Sequence, residues 1–258
     1  MALFRSLLPL LLAGTLPVSA TAAERVQIRM GEPLARFDRL HAGTNTYLRH
    51  WIKADGTLEM IDLETKEVRF ETENGQRRVH IVQHWTTPKV SLTIDSLFED
   101  KTLRPITHQR ITTKEGKTTR AGYRFLADKV VGLADLPENT QKDFEIATPV
   151  PAFNFEVDLE TFATLPLRRN AEFEINFYHP GGEPPAPYVY KVAGEEKLFM
   201  AGKAIDCWVL TNDFEQPGQP HIRTRFWIAK DSQTVIRVHA ALPDGSAVVK
   251  ALLSSTTL

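Results

Sequence analysis

The chain has 258 residues, of which 31 are basic and 32 acidic, with eight histidines and one cysteine, Cys207. A net charge of −1 supplies no basic field for nucleic acid or an anionic membrane surface, and a lone cysteine excludes an internal disulfide. Stability must come from burial and strand pairing, for which a chain of this length has ample core.

The N-terminus carries Arg5, then the apolar run Leu7 to Leu12, then Ser19-Ala20-Thr21-Ala22-Ala23 ahead of Glu24. This is the pattern of a secretory signal peptide over 1–23, with cleavage after Ala22 or Ala23. Pro9, Gly14 and Pro17 interrupt the apolar stretch well short of the roughly 20 residues a spanning helix needs, and no lipid-accepting cysteine follows the small residues. Residues 24–258 are therefore expected to form a single exported, periplasmic β domain with no integral membrane segment. Two halves joined near 135–151, a charged stretch containing prolines, are the alternative.

Beyond the leader, period-two alternation dominates. It is clearest at Val90, Leu92 and Ile94 and at Phe173, Ile175 and Phe177, and weaker over 44–53, 58–63, 68–73, 77–85, 117–125 and 187–192. Turn signals at Ala54-Asp55-Gly56, Glu73-Asn74-Gly75, Lys114-Glu115-Gly116, Pro180-Gly181-Gly182 and Pro243-Asp244-Gly245 separate these runs, as in successive antiparallel hairpins. Asp158 to Leu165 is the main helical stretch, with Leu159, Phe162 and Ala163 at helical spacing and Pro166 ending it. Ala204 to Thr211 is apolar on both alternations, which predicts a strand covered on both faces. Residues 222–229 and 234–242 read as a hairpin; pairing Lys230 with Gln233 would set Phe226 opposite Arg237 and Trp227 opposite Ile236. The fold class is mainly β: a large curved antiparallel sheet or open half-barrel with one or two short helices.

Residues that carry chemistry are sparse. His80 and His84 could share a metal on a helix, but on a strand they stand about 13 Å apart, and Ile81 occupies the place of the zinc-protease glutamate. Cys207 sits in the most apolar strand, where a cysteine acts as a small buried hydrophobe. Neither a nucleophile elbow nor a phosphate-binding glycine loop is present. The acidic pair Asp62 and Glu64 reads as ordinary solvated carboxylates. No catalytic residue, metal ligand or cofactor is assigned. Arg223, Arg225 and Trp227 share one strand face, and Trp208 lies in another strand. Arg225, Trp227 and Trp208 are the candidate ligand-binding residues, an aromatic wall with an arginine at its mouth, suited to an amphiphile with an anionic head. The same pattern also fits core tryptophans beside surface arginines.

The C-terminal half resembles a family of bacterial periplasmic proteins known as domain of unknown function 3108. The resemblance rests on Val157-Asp158-Leu159 through Leu165-Pro166-Leu167, on Val192-Ala193-Gly194-Glu195-Glu196, on Gly202-Lys203-Ala204-Ile205-Asp206-Cys207-Trp208, and on Phe226-Trp227-Ile228-Ala229-Lys230-Asp231. It covers 153–253 well and the N-terminal half loosely. Val235 stands where members often carry proline. The resemblance implies a curved antiparallel sheet similar to the half-barrels of periplasmic lipoprotein carriers, with no catalytic residues to transfer. The leading functional expectation is a non-enzymatic protein that binds or carries a lipid or other amphiphile. The alternatives are an assembly factor that pairs with another envelope protein, and an envelope hydrolase with dispersed residues such as His80, His84 or His239.

Overall fold

The alternating runs become one continuous sheet in the computed structural model, which describes residues 25–214 and 221–257. The expected signal peptide, 1–23, lies outside the described residues. The strands are β1 (Arg25–Ile28), β2 (Gly43–Ile52), β3 (Leu58–Glu73), β4 (Gln76–Thr86), β5 (Val90–Glu99), β6 (Pro105–Lys114), β7 (Lys117–Phe125), β8 (Lys129–Gly132), β9 (Glu145–Ala147), β10 (Phe153–Asn154), β11 (Glu172–Tyr178), β12 (Ala186–Met200), β13 (Lys203–Phe214), β14 (Ile222–Ala229), β15 (Val235–Ala241) and β16 (Ala247–Ser255). Helix α1 (Asp158–Phe162) follows a 3-10 turn at Phe155–Val157. The spatial order is β1-β11-β12-β13-β14-β15-β16-β2-β3-β4-β5-β6-β7-β8-β9, with β10 beside β11. Pairing is antiparallel except where β1 and β10 meet β11. The last strand returns to the first long one, with Leu252 opposite Tyr47, so the sheet curves into an open half-barrel.

Hairpin chemistry fixes much of this path. Asn74 and Gly75 (φ 49° and 75°) and Glu115 and Gly116 (φ 53° and 76°) take left-handed backbone at both central positions, the geometry that matches strand twist. Two expectations are corrected. Residues 58–63 and 68–73 are not separate strands but parts of the 16-residue β3, because the charged residues between them point inward to partners rather than out into a loop. In the β14–β15 hairpin, Ile228 pairs Val235 as the two-residue turn requires, but Trp227 pairs Arg237 and Phe226 pairs Val238. Ile236 is an extra residue, a bulge that slips the register by one.

Side chains alternate across the sheet, and α1 marks its inner face. Phe162 lies 4.8 Å from Tyr190, 4.9 Å from Phe226 and 6.3 Å from Phe177. The half-barrel has two unlike ends. At one, residues 34–40 form a cap: the Leu34 N–H donates to the Lys101 carbonyl (2.9 Å), the Arg36 N–H to Thr164 (3.0 Å), and Phe37 meets the Phe70 ring at 6.2 Å. The Gln233 amide closes the β14–β15 turn onto Leu165 at 2.8 Å. At the opposite end, where β2 meets β3, β4 meets β5 and β15 meets β16, no comparable cap stands among the described residues.

Candidate functional site

The interior is half apolar and half charged. On the wall of β11 to β14, Phe173, Ile175, Phe177, Tyr190, Leu210 and Phe226 are buried and α1 packs on them through Phe162. On the wall of β16, β2 and β3, the inward positions hold Lys250, Arg49, Asp62, Glu64 and Lys66. Asp62 is 2% exposed, Glu64 0% and Lys66 2%; reading Asp62 and Glu64 as solvated carboxylates is overturned. Asp62 meets a cation from the neighbouring strand β2, and Glu64 one from β16 beyond it. Arg49 grips Asp62 in a fork, Nε to Oδ1 at 3.0 Å and Nη2 to Oδ2 at 2.5 Å, and Lys250 Nζ lies 2.6 Å from Glu64 Oε2.

Lys66 reaches the plug that α1 and the 3-10 turn before it form on the inner face of the sheet. Its Nζ donates to Glu160 Oε2 at 2.9 Å and to the Glu156 carbonyl at 3.3 Å, while the Gln83 amide donates to that same carbonyl at 2.7 Å. Arg110 on β6 pairs with the Glu156 carboxylate. Burial alone would push the Lys66 ammonium down, yet Glu160, Glu64 and Asp158 together hold it above the usual lysine range. These bonds tether a helix too short to be stable alone to the charged wall. Asp158 lacks such a pairing. Burial pushes its carboxyl up to about 6, against the pull of Lys66 and Lys250.

Two apolar cavities open at the uncapped end. The larger, about 800 Å³, lies among Arg49, Met60, Ile61, Trp85, Pro88, Lys89, Val90, Leu92 and Lys114. Arg49 stacks over the Trp85 ring at 4.0 Å and Lys250 stands 5.4 Å from it, a cation–aromatic platform. The smaller, about 370 Å³, lies beside α1 among Phe155, Asp158, Tyr188, Tyr190, Phe214 and Phe226. Both fall within the size range of small-molecule sites, about 300–1,000 Å³. At the capped end, a crevice of about 30 Å³ beside Tyr47 and Gln233 has room only for water.

The sequence-derived binding residues stand elsewhere. Arg225 and Trp227 lie on the face of β14 opposite Phe226, both tied to Glu196, at 2.5 Å from the guanidinium and 2.7 Å from the indole N–H. Arg225 also covers the Trp227 ring at 4.7 Å. Trp208 sits near the capped end beneath Lys230, 4.4 Å from its ring. Neither large cavity includes these three residues. Arg49 and Trp85 form the arginine–tryptophan pair at the open end, and they are adjacent only through folding.

The histidines and the cysteine have structural settings. His80 and His84 both lie on β4. His80 bridges Asp95 (2.9 Å) and Glu71 (3.2 Å) across three strands, and His84 meets Thr93 at 3.1 Å. His239 on β15 is opposite Arg225. Ser96 Oγ lies 2.9 Å from His108 Nδ1, which Asn154 also approaches at 3.1 Å. Ser96, His108 and Asn154 are all fully buried, and burial drives His108 down to about 3. The group therefore locks β5, β6 and β10 together with no access for a substrate. Among the described residues no group of three or more metal-ligating side chains converges, and no helix is long and apolar enough to cross a membrane. Burial, then Asp206, pushes the Cys207 thiol up to about 11, which leaves it a poor nucleophile.

The fold has a solved counterpart. A β-barrel-like protein of domain of unknown function DUF1849 from Brucella abortus superposes with a TM-score of 0.50 at 10% identity, covering 84% of this chain and 98% of that one. This shows the fold alone. A DUF1329 family protein from Desulfovibrio piger aligns with a TM-score of 0.34 at 12% identity, over 85% of this chain and 88% of that one. Among curated proteins there is no match. The family model described as "Protein of unknown function (DUF3108)" matches residues 46–253, nearly the whole sheet from β2 to β16, and the chain belongs to that family.

Proposed function

We propose that this chain is a non-enzymatic, exported protein that binds or carries an amphiphile with an anionic head, seated at the open end of the half-barrel. One observation carries the reading: the cavity of about 800 Å³ combines apolar walls from Met60, Ile61, Trp85, Val90 and Leu92 with a charged rim on which Arg49, Lys89 and Lys114 outnumber Glu59 and Asp62. An alkyl chain would be held by burial, with about 200 Å² worth about 5 kcal/mol at 25 cal/mol per Å². The basic rim would orient the head. The N-terminal leader supports export to the periplasm, where a carrier of this kind would meet its cargo.

Palmitate titration followed by calorimetry tests this. One palmitate should bind per chain, and Trp85→Ala should weaken it at least about tenfold, the loss expected for removing an aromatic wall. Trp227→Ala, on the other face of β14, should leave binding within about twofold. Equal affinity in wild type and Trp85→Ala would remove the cavity from the proposal. Loss in Trp227→Ala alone would return the site to the β14 face. A second reading, pairing with another envelope protein, has support from Phe199, which is 78% exposed on β12. It predicts a Phe199-dependent complex and no bound palmitate.

A further inference from the structure

We propose that the smaller, aromatic cavity beside α1 is a binding site for a small organic cation bearing an alkylammonium group, with Asp158 as its counter-ion. The proposal stands apart from the amphiphile reading, since it concerns a different cavity and a ligand of opposite charge.

The charge distribution motivates it first. Lys66 is matched by Glu160, Lys250 by Glu64, Arg49 by Asp62 and Arg110 by Glu156. Among the described residues no ion pair includes Asp158, so the interior carries one surplus carboxylate. Its Oδ1 accepts the Leu159 N–H at 2.8 Å, and Oδ2 accepts no hydrogen bond among the described residues. Asp158 is half-buried, and its side chain borders the cavity. A half-buried carboxylate outside every ion pair, with surface free toward an aromatic cavity, is a site for a cation.

The walls specify which cation. Tyr188 and Phe214 stack at 5.1 Å with an interplanar angle of 11°, and Tyr188 and Tyr190 stand nearly parallel at 6.5 Å. Phe226 and Phe155 complete the enclosure. Ring faces attract a diffuse cation through their quadrupoles, whereas a divalent metal ion would find one carboxylate where it needs several oxygen ligands. The Asn212 amide is already donated to the Val189 carbonyl at 2.8 Å, and burial lowers His179, so that it brings no competing charge. A volume of about 370 Å³ admits a small molecule but not a long lipid.

Calorimetric titration with choline and with its uncharged dimethylbutanol isostere tests the proposal. Choline should bind one per chain and the isostere at least about tenfold more weakly. Asp158→Asn, nearly isosteric, should lower choline affinity at least about tenfold. Should that variant fail to fold, Phe214→Ala, at the partly exposed end of β13, should lower it about tenfold in a folded protein. Trp85→Ala should leave choline affinity unchanged, which separates this site from the larger cavity. No choline binding to the folded wild type, equal binding of choline and its isostere, or unchanged affinity in Asp158→Asn would each overturn it.

Discussion

The two inner walls of the half-barrel solve the same packing problem in opposite ways, and α1 serves both. Toward β11–β14 it offers Phe162 to a nest of buried rings; toward β3, β4 and β6 it offers Glu160, and the 3-10 turn before it offers the Glu156 backbone and side chain, to Lys66, Gln83 and Arg110. The aromatic wall is non-directional, and a modest change in ring orientation would cost it little. The charged wall is directional, because a buried ion pair is tolerated only when each partner keeps its counterpart. One wall therefore holds the plug in place by burial, while the other sets its position and rotation.

That contrast breaks most readily at Lys66. Replacing it with Met removes the cation shared by Glu160 and the Glu156 carbonyl and leaves buried negative charge unmatched. Lys66→Met should lower unfolding free energy by about 3–5 kcal/mol, read from urea denaturation at constant m-value. Adding Glu160→Gln should restore part of the loss. If the double variant is no better than the single one, the two side chains act independently and the charged wall does not locate the helix.

Asp158 sharpens the comparison, since it belongs to neither wall's pairings. Its folded pKa of about 6 lies above the ordinary aspartate value. The neutral acid is therefore compatible with the fold, and its contribution is fully present below about pH 3.9. Stability is then lost as pH rises through about 6, where the folded protein must hold an ionised, desolvated carboxylate. Relative to wild type, Asp158→Asn should gain about 1–3 kcal/mol above pH 6 and nothing at pH 3.5. A gain independent of pH would mean that Asp158 is destabilising for reasons other than its charge.

The aromatic wall was legible in the sequence and the charged wall was not, for a physical reason. Phe173, Ile175 and Phe177 alternate with Glu172, Glu174 and Asn176, so period two and hydropathy agree. In β3, Asp62, Glu64 and Lys66 alternate just as strictly, but they are polar residues pointing inward. A hydropathy pattern assigns such residues to solvent and ends the strand. Lys250 and Glu160, the partners of Glu64 and Lys66, are remote in sequence, and Arg49 meets Asp62 only across the β2–β3 hairpin, in a register that hydropathy does not set. The signal that could have found them is three charged residues at period two, continuing the frame of Val68. The same limit hid Arg49 beside Trp85, while Arg225 and Trp227, neighbours at i and i+2, were visible and occupy the opposite face.

The smallest expected effect lies on β4, outside the interior. His80 bridges Asp95 and Glu71, and the Asp95 bond, opposed by desolvation and aided by Glu71, holds its pKa above the free value. A raised histidine stabilises the fold fully below about pH 6.5, and the contribution is lost as pH rises through the raised value. Because Asp95 and Glu71 are each partly exposed, with 43% of their side-chain surface open, solvent screens the bridge to at most about 1 kcal/mol. His80→Gln should therefore cost that much near pH 5.5, little at pH 9, and less still in 1 M salt, read as the difference in urea midpoint. The Lys66→Met penalty should be nearly insensitive to the same salt, since buried pairs are screened far less than exposed ones. Equal salt sensitivity of the two variants would mean that water reaches Lys66, and that the charged wall is an extension of the open mouth rather than a dry interior.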